Sequence, residues 1–259
     1  MDIVSLIGTA LASIFCFVTI LFCISLILKR NDIADVAWGS GIFLVAFISY
    51  LLSDRGVTIS VVTALIFVWG ARLSVRIFLR NRKKGEDFRY TQWRETWGKW
   101  FYPRSYVQVY LLQGFLMCVV GYPALLAGAF SAGQQSLGLI SFAGVCIWAI
   151  GFLFESVGDY QLDRYINAPG TKPSVLRSGL WRYSRHPNYF GEVTMWWGIW
   201  LTVFPLPFGF FAIVSPLMIT FLILKVSGIP MLEKKFDDNE AFQDYKKVTS
   251  AFFPFPPRT

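Results

Sequence analysis

An all-α, polytopic integral membrane bundle of about seven spanning helices is the fold class this sequence predicts. Three observations carry that expectation. Residues of the AVILMFWYC set make up 55% of the 259, and only 15% are charged, whereas a soluble domain needs roughly 25% charged residues to cover its surface. The apolar residues fall into seven runs close to the roughly 20 residues with which a helix crosses about 30 Å of hydrocarbon. Lys and Arg gather in alternate connecting segments, as the positive-inside rule asks of a multi-spanning chain. The same composition excludes a disordered chain, a collagen-like chain and a conventional soluble nucleic-acid binder, so no nucleic-acid partner is expected. Topology accounts for most of the net charge of +8.

In chain order, the first run, 3–28, is too long for the apolar core of a cleavable signal and lacks a small-residue cleavage pattern. It reads as a span. Runs 33–53, 57–79, 106–130 and 137–158 follow, then two shorter ones, 189–204 and 208–227, joined by Phe204-Pro-Leu-Pro-Phe208. Two prolines there end one helix and start the next. With the N-terminus outside, the outer segments 53–56, 131–136 and the proline hairpin contain a single basic residue, Arg55. Nearly all the rest lie on the other side, with Arg72 and Arg76 in the inner half of the third run, which predicts an N-out, C-in topology. Segment 80–104 interleaves eight basic residues with Tyr90, Trp93, Trp97, Trp100 and Tyr102, the mixture of an interfacial amphipathic helix. Segment 159–187 is polar and punctuated by NAPGTKP, and 233–245 reads as a polar helix before the ending FFPFPP. The chain is thus one transmembrane domain, 1–259, with an N-terminal half over residues 1–130 and a C-terminal half over residues 131–259. The four cysteines all sit in apolar runs without a CxxC pair, so neither a zinc site nor a disulfide framework is indicated.

The stretch Gly179–Glu192, GLWRYSRHPNYFGE, holds the densest chemistry. Pro187 suits the first turn of a helix, where its missing N–H costs nothing. A helix start beside Arg182 and Arg185 suits a phosphate or carboxylate. Asn188 and Glu192 share a helix face at i,i+4 with Tyr189 beside them, and an ionisable Glu192 within the bilayer implies a polar cavity. His186 is the one histidine, which excludes a multi-histidine metal site; it either bonds backbone or phosphate at the helix start, or touches a cofactor. Glu155, Asp159 and Asp163 repeat every four residues, hence on one face, as an ion network or as a pocket for a ribose or carboxamide. Asp35, in NDIADVAWGSG, either pairs with Lys29, Arg30 or the span-3 arginines Arg72 and Arg76, or reaches a substrate polar group. The absence of GxGxxG and GxxxxGK[ST] excludes a Rossmann fold and a P-loop.

On GLWRYSRHPNYFGE, on the tail FQDYKKVTSAFFPF, and on IADVAWG, RNRKKGEDFRYTQWR and SGIPMLEKK, the chain resembles the membrane steroid 5-alpha-reductase and sterol reductase superfamily. The nearest likeness is to its bacterial-type steroid-reductase-like branch, over almost the whole length. The resemblance implies NADPH bound among the C-terminal spans and open to the cytosol, in a bacterial inner membrane or an endoplasmic reticulum. Asn188 and Glu192 would hold the nicotinamide end, with Tyr183 and Asp159 near the ribose. Arg164 and Arg185 would take the diphosphate, and Asn81, Arg82 and Lys84 the adenine-side phosphates, with His186 and Tyr245 of the tail completing the cofactor set. Asp35, Tyr189 and Glu192 are the candidate catalytic residues. The steroid enzymes' Gln-Glu pair and next-span Tyr for the substrate carbonyl have no counterpart in spans 2 and 3. The implied reaction is reduction of a carbonyl-conjugated C=C bond in a lipophilic substrate. Because RHPxY also occurs in isoprenylcysteine carboxyl methyltransferases, an S-adenosylmethionine-dependent methyltransferase is the alternative enzyme, and a lipid-binding protein without catalysis is a third reading.

Overall fold

The computed structural model describes residues 2–82, 85–170 and 173–258. Among these the chain is helical, with no strand and one isolated bridge between Ser184 and Ser250. The helices are α1 (Ile3–Leu28), α2 (Ile33–Leu52), α3 (Val57–Arg82), α4 (Phe88–Trp97), α5 (Phe101–Ser105), α6 (Leu112–Phe130), α7 (Leu139–Asn167), α8 (Pro187–Val203), α9 (Val214–Phe221), α10 (Ile229–Lys234) and α11 (Glu240–Val248). Among the described residues, six helical runs are long and apolar enough to cross a membrane: Ile3–Leu28, Ile33–Leu52, Val57–Arg82, Arg89–Phe130, Leu139–Asn167 and Gly209–Lys234. The protein is therefore a polytopic helical membrane protein. The remaining sequence-predicted span is α8, whose 17 residues rise about 25 Å, less than the roughly 30 Å of a hydrocarbon core.

Local chemistry sets the ends. Asp2 caps α1 by accepting from the Ser5 amide at 3.0 Å, and Asp87 caps α4 by accepting from the Arg89 amide at 3.0 Å. The expected polar helix 233–245 is broken in two. Asn239 caps α11, its side chain accepting from the Phe242 amide at 3.1 Å. Residues 235–239 form the break, in which Asp237, Asp238 and Asn239 are short polar side chains that favour caps over helix interiors.

The chain divides into two compact units. The first comprises Met1–Ser141 with the proline hairpin Val203–Ser215. In it the basic segment is not an independent surface helix. Tyr90 is fully buried, and α4 is clamped to the α1–α2 turn: Arg94 Nε donates to Glu86 at 3.0 Å, and Glu86 accepts from the Asn31 amide at 2.7 Å.

The second unit comprises Phe142–Thr202 with Pro216–Thr259. Its central feature is the contact of α7 with α8 through glycines seven residues apart, Gly144 and Gly151 on one helix, Gly191 and Gly198 on the other. A Cβ on Gly151 would come within 2.6 Å of the Gly191 carbonyl oxygen, and one on Gly198 within 2.6 Å of the Trp148 amide. Small residues let two helix backbones touch in a bilayer. That contact brings Glu155 and Asp159 of α7 against the first turns of α8.

Candidate functional site

The loop entering α8 is pinned to α7 before the helix begins. Gly179 turns the chain at φ +62°, and a Cβ there would collide with the Gln161 side chain; a left-handed backbone suits glycine for the same reason. Leu180 then donates its amide to Gln161 Oε1 at 2.9 Å, and Trp181 Nε1 donates to the Gly158 carbonyl at 3.1 Å. Pro187 follows as the first residue of α8.

This fixes Asn188 against α7. Asn188 Nδ2 donates to Asp159 Oδ1 at 3.1 Å, so the amide is oriented by a buried carboxylate. The Asn188 carbonyl oxygen, Oδ1, is buried and has no hydrogen-bond partner among the described residues. Glu155, one turn from Asp159 on α7, is also buried, and Glu192, one turn from Asn188 on α8, is half-buried. The cluster is rich in acceptors and acidic. It suits an uncharged N–H or O–H donor such as a carboxamide or a sugar hydroxyl.

Arg185, His186 and Tyr245 are engaged differently. Arg185 is buried and forks onto Glu233, Nε donating to Oε1 at 2.8 Å and Nη2 to Oε2 at 3.3 Å. Its Nη1 donates to the carbonyls of Thr249 at 2.5 Å and Lys246 at 3.3 Å. His186 Nε2 lies 3.1 Å from Glu233 Oε1, and Lys246 Nζ 3.4 Å from Glu233 Oε2. Burial pushes the His186 imidazole below its ordinary pKa, against the opposing pull of Glu233, so a neutral ring donates to the carboxylate. Tyr245 donates its hydroxyl to the Trp181 carbonyl, and burial raises its pKa. Ser184 Oγ donates to the Phe252 carbonyl at 2.8 Å, and the Arg185 amide to the Ser250 carbonyl at 2.8 Å. The three residues thus join the C-terminal helices and tail to the loop before α8. Glu233 and Lys246 escaped the sequence reading; the available signal was a lone acid in SGIPMLEKK following an apolar run.

Of the other candidates, Tyr189 stacks on His186 with ring centroids 5.6 Å apart, while Arg164 and Tyr183 are exposed. In the first unit, Asp35 Oδ2 accepts from Arg89 Nη2 at 2.6 Å and Oδ1 from the Tyr90 hydroxyl at 3.1 Å. Arg30, an alternative partner for it, is held by Asp32 at 2.7 Å. The Asn81 carbonyl accepts from Arg30 Nη2 at 3.2 Å, and Arg82 is exposed. Lys84 lies outside the described residues.

Comparison with known proteins supplies the affiliation. The family described as "Protein of unknown function (DUF1295)" matches residues 21–249. An uncharacterised protein of Schizosaccharomyces pombe is 24% identical over 183 residues, 61% of this chain and 52% of that protein. The 3-oxo-5-alpha-steroid 4-dehydrogenase 1 of Bos taurus is 33% identical over 113 residues, 43% of this chain and 40% of that enzyme. The Mus musculus enzyme of the same name is 31% identical over 113 residues, covering 43% and 41%. The chain spans about half the length, or less, of these curated relatives. No solved structure matches it. The chain belongs to the DUF1295 family and, with it, to the steroid 5-alpha-reductase-like superfamily of membrane proteins.

Proposed function

We propose that this protein is an NADPH-dependent membrane reductase that saturates a carbonyl-conjugated C=C bond in a lipophilic, steroid-like substrate. The observation that carries the reading is the Asn188 amide, turned by Asp159 so that a buried acceptor oxygen is left without a donor among the described residues. A buried acceptor of this kind is costly unless a ligand completes it, and a nicotinamide carboxamide brings the N–H that fits. Glu192 and Glu155 supply further acceptors beside it. When bound, NADPH would supply a hydride to the β-carbon of the conjugated bond.

The chain's own residues would do the rest. Asp159 fixes the Asn188 amide, and Asn188 and Glu192 orient the carboxamide so that one ring face meets the substrate. Tyr189, on the first turn of the same helix, is the candidate hydroxyl for proton delivery to the α-carbon. The Arg185–Glu233–Lys246 lock holds the loop before α8 to the C-terminal helices, while Gln161 and Gly158 hold it to α7. Asp35 serves the first unit, holding Arg89 and Tyr90 rather than substrate.

Thermal unfolding of the purified protein with added nucleotides tests this, because a ligand that binds only the native state raises the midpoint. The reading expects saturable stabilisation by NADPH and none by S-adenosylmethionine. Stabilisation by S-adenosylmethionine alone would assign the protein to the methyltransferases, and stabilisation by neither would favour a lipid-binding protein.

A further inference from the structure

The tail FFPFPP takes no part in the candidate site, yet hydrogen bonds fix its course. The Arg185 amide donates to the Ser250 carbonyl at 2.8 Å, Ser184 Oγ to the Phe252 carbonyl at 2.8 Å, and the Phe255 amide to the Tyr183 carbonyl at 3.1 Å. The tail therefore runs along residues 183–185, just ahead of α8. Phe252 is buried against Phe190 in the first turn of α8, with ring centroids 5.7 Å apart. Phe253 and Phe255 instead keep 56% and 60% of their surface exposed. Two aromatic rings held outward by a fixed backbone mark an interaction surface.

What adjoins the rings identifies the partner. The Phe253 ring lies 6.1 Å from that of Phe190, and Phe190 lies 5.2 Å from Phe154 of α7, so ring contacts link the tail to a helix of the spanning set. On α7, Leu153, Val157 and Tyr160 form an exposed row beside Phe154 at the spacing of one helix face. In a spanning helix such a row faces lipid, and Phe253 and Phe255 continue it. Arg182 and Tyr183, on the loop that the tail follows, and Arg258 near its end are exposed as well. Aromatic rings with cations beside them belong at headgroup depth. The backbone suits the same place. Three of residues 254–257 are prolines, which have no N–H, and the N–H of Phe255 is bonded to Tyr183. These four residues carry no orphan donor into the interface.

We propose that residues 252–258 are a membrane-interface anchor. Phe253 and Phe255 lie at the headgroup–acyl boundary of the bilayer, Arg182 and Arg258 lie at the phosphates, and the occupant of this surface is phospholipid. The anchor sets the first turn of α8 at the membrane surface. It thereby fixes the depth of Asn188 and Glu192, whatever reaction they serve.

The test is photo-crosslinking of the full-length protein, one copy per phosphatidylcholine nanodisc, with p-benzoylphenylalanine placed singly at position 253, 255, 153 or 244. Leu153, on the lipid-facing row, is the positive control, and Asp244, exposed on α11, is the negative one. Mass spectrometry should find the C-terminal peptide heavier by one phospholipid when the probe stands at 253 or 255, at a yield near that of position 153 and well above that of position 244. The Phe255 ring meets that of Phe253 alone among the described residues, so position 255 decides the matter if the probe at 253 disturbs the packing on Phe190. Lipid adducts at 153 with none at 255, or a yield at 255 no higher than at 244, would overturn the anchor. So would crosslinks from 255 to a second protein in place of lipid when the same variant is irradiated in native membranes.

Discussion

His186 and Arg185 stand next to each other in the sequence and respond to different variables. Burial holds His186 neutral in the fold, whereas in the unfolded chain its pKa is about 6.5. The groups facing it are Glu233 at 3.1 Å and, around that carboxylate, Arg185 and Lys246. Because the unfolded state binds more protons below that value, stability is full above it and falls as pH drops through about 6.5. Unfolding midpoints measured from pH 8 to pH 5 should decline on the acid side, and His186→Gln should flatten that stretch of the curve. A wild-type profile that is flat there contradicts a neutral, buried His186. Arg185→Met leaves Glu233 with two of its three partners and should cost about 3–5 kcal/mol of stability. Were Arg185 instead a phosphate ligand, the same variant would lose nucleotide affinity and keep its midpoint. At this scale the sequence was informative where the signal is local. Asn188 and Glu192 share a face by their spacing alone, and Pro187 marks the helix start. Glu233 lies 47 residues from His186, so nothing in the periodicity of either segment could link them.

At the scale of elements, the glycine register between α7 and α8 governs the candidate site. Gly151→Ala puts a methyl group within 2.6 Å of the Gly191 carbonyl. Such overpacking costs about 1–3 kcal/mol, and it should separate Asn188 from Asp159 and weaken nucleotide binding as well. A methyl group added to Gly8, on α1, would meet nothing within 4 Å; Gly8→Ala should leave stability level or raise it by about 0.5–1 kcal/mol. Paired midpoint measurements check both, and equal effects would deny the helix contact its special role. Hydrophobic length was enough to read the long helices from the sequence; the seven-residue glycine spacing is present there too, but nothing in either segment alone says that the two stripes touch. Two elements resisted. Residues 233–245 look continuously polar, yet Asn239 caps a new helix. Segment 80–104 has interfacial composition, yet Arg89 and Tyr90 are drawn inward by Asp35, a partner 54 and 55 residues away.

At the scale of the molecule, six long apolar runs and the 17-residue α8 fit the charge pattern if segment 80–104, the 164–185 loop and the C-terminal tail share one face of the membrane. Cysteines introduced singly in each should react with an impermeant thiol reagent from the same side, and reaction of any one from the opposite side refutes that topology. The proposed activity turns on Asn188 and Glu192, at the start of α8, receiving the nicotinamide end of NADPH. The decisive experiment is an NADPH titration of wild-type, Asn188→Ala and Glu192→Gln protein. Loss of a desolvated hydrogen bond costs about 1.5–3 kcal/mol, so each variant should bind roughly 10- to 150-fold more weakly while unfolding at a midpoint close to wild type. Unchanged NADPH affinity in both folded variants would remove the nicotinamide from this site.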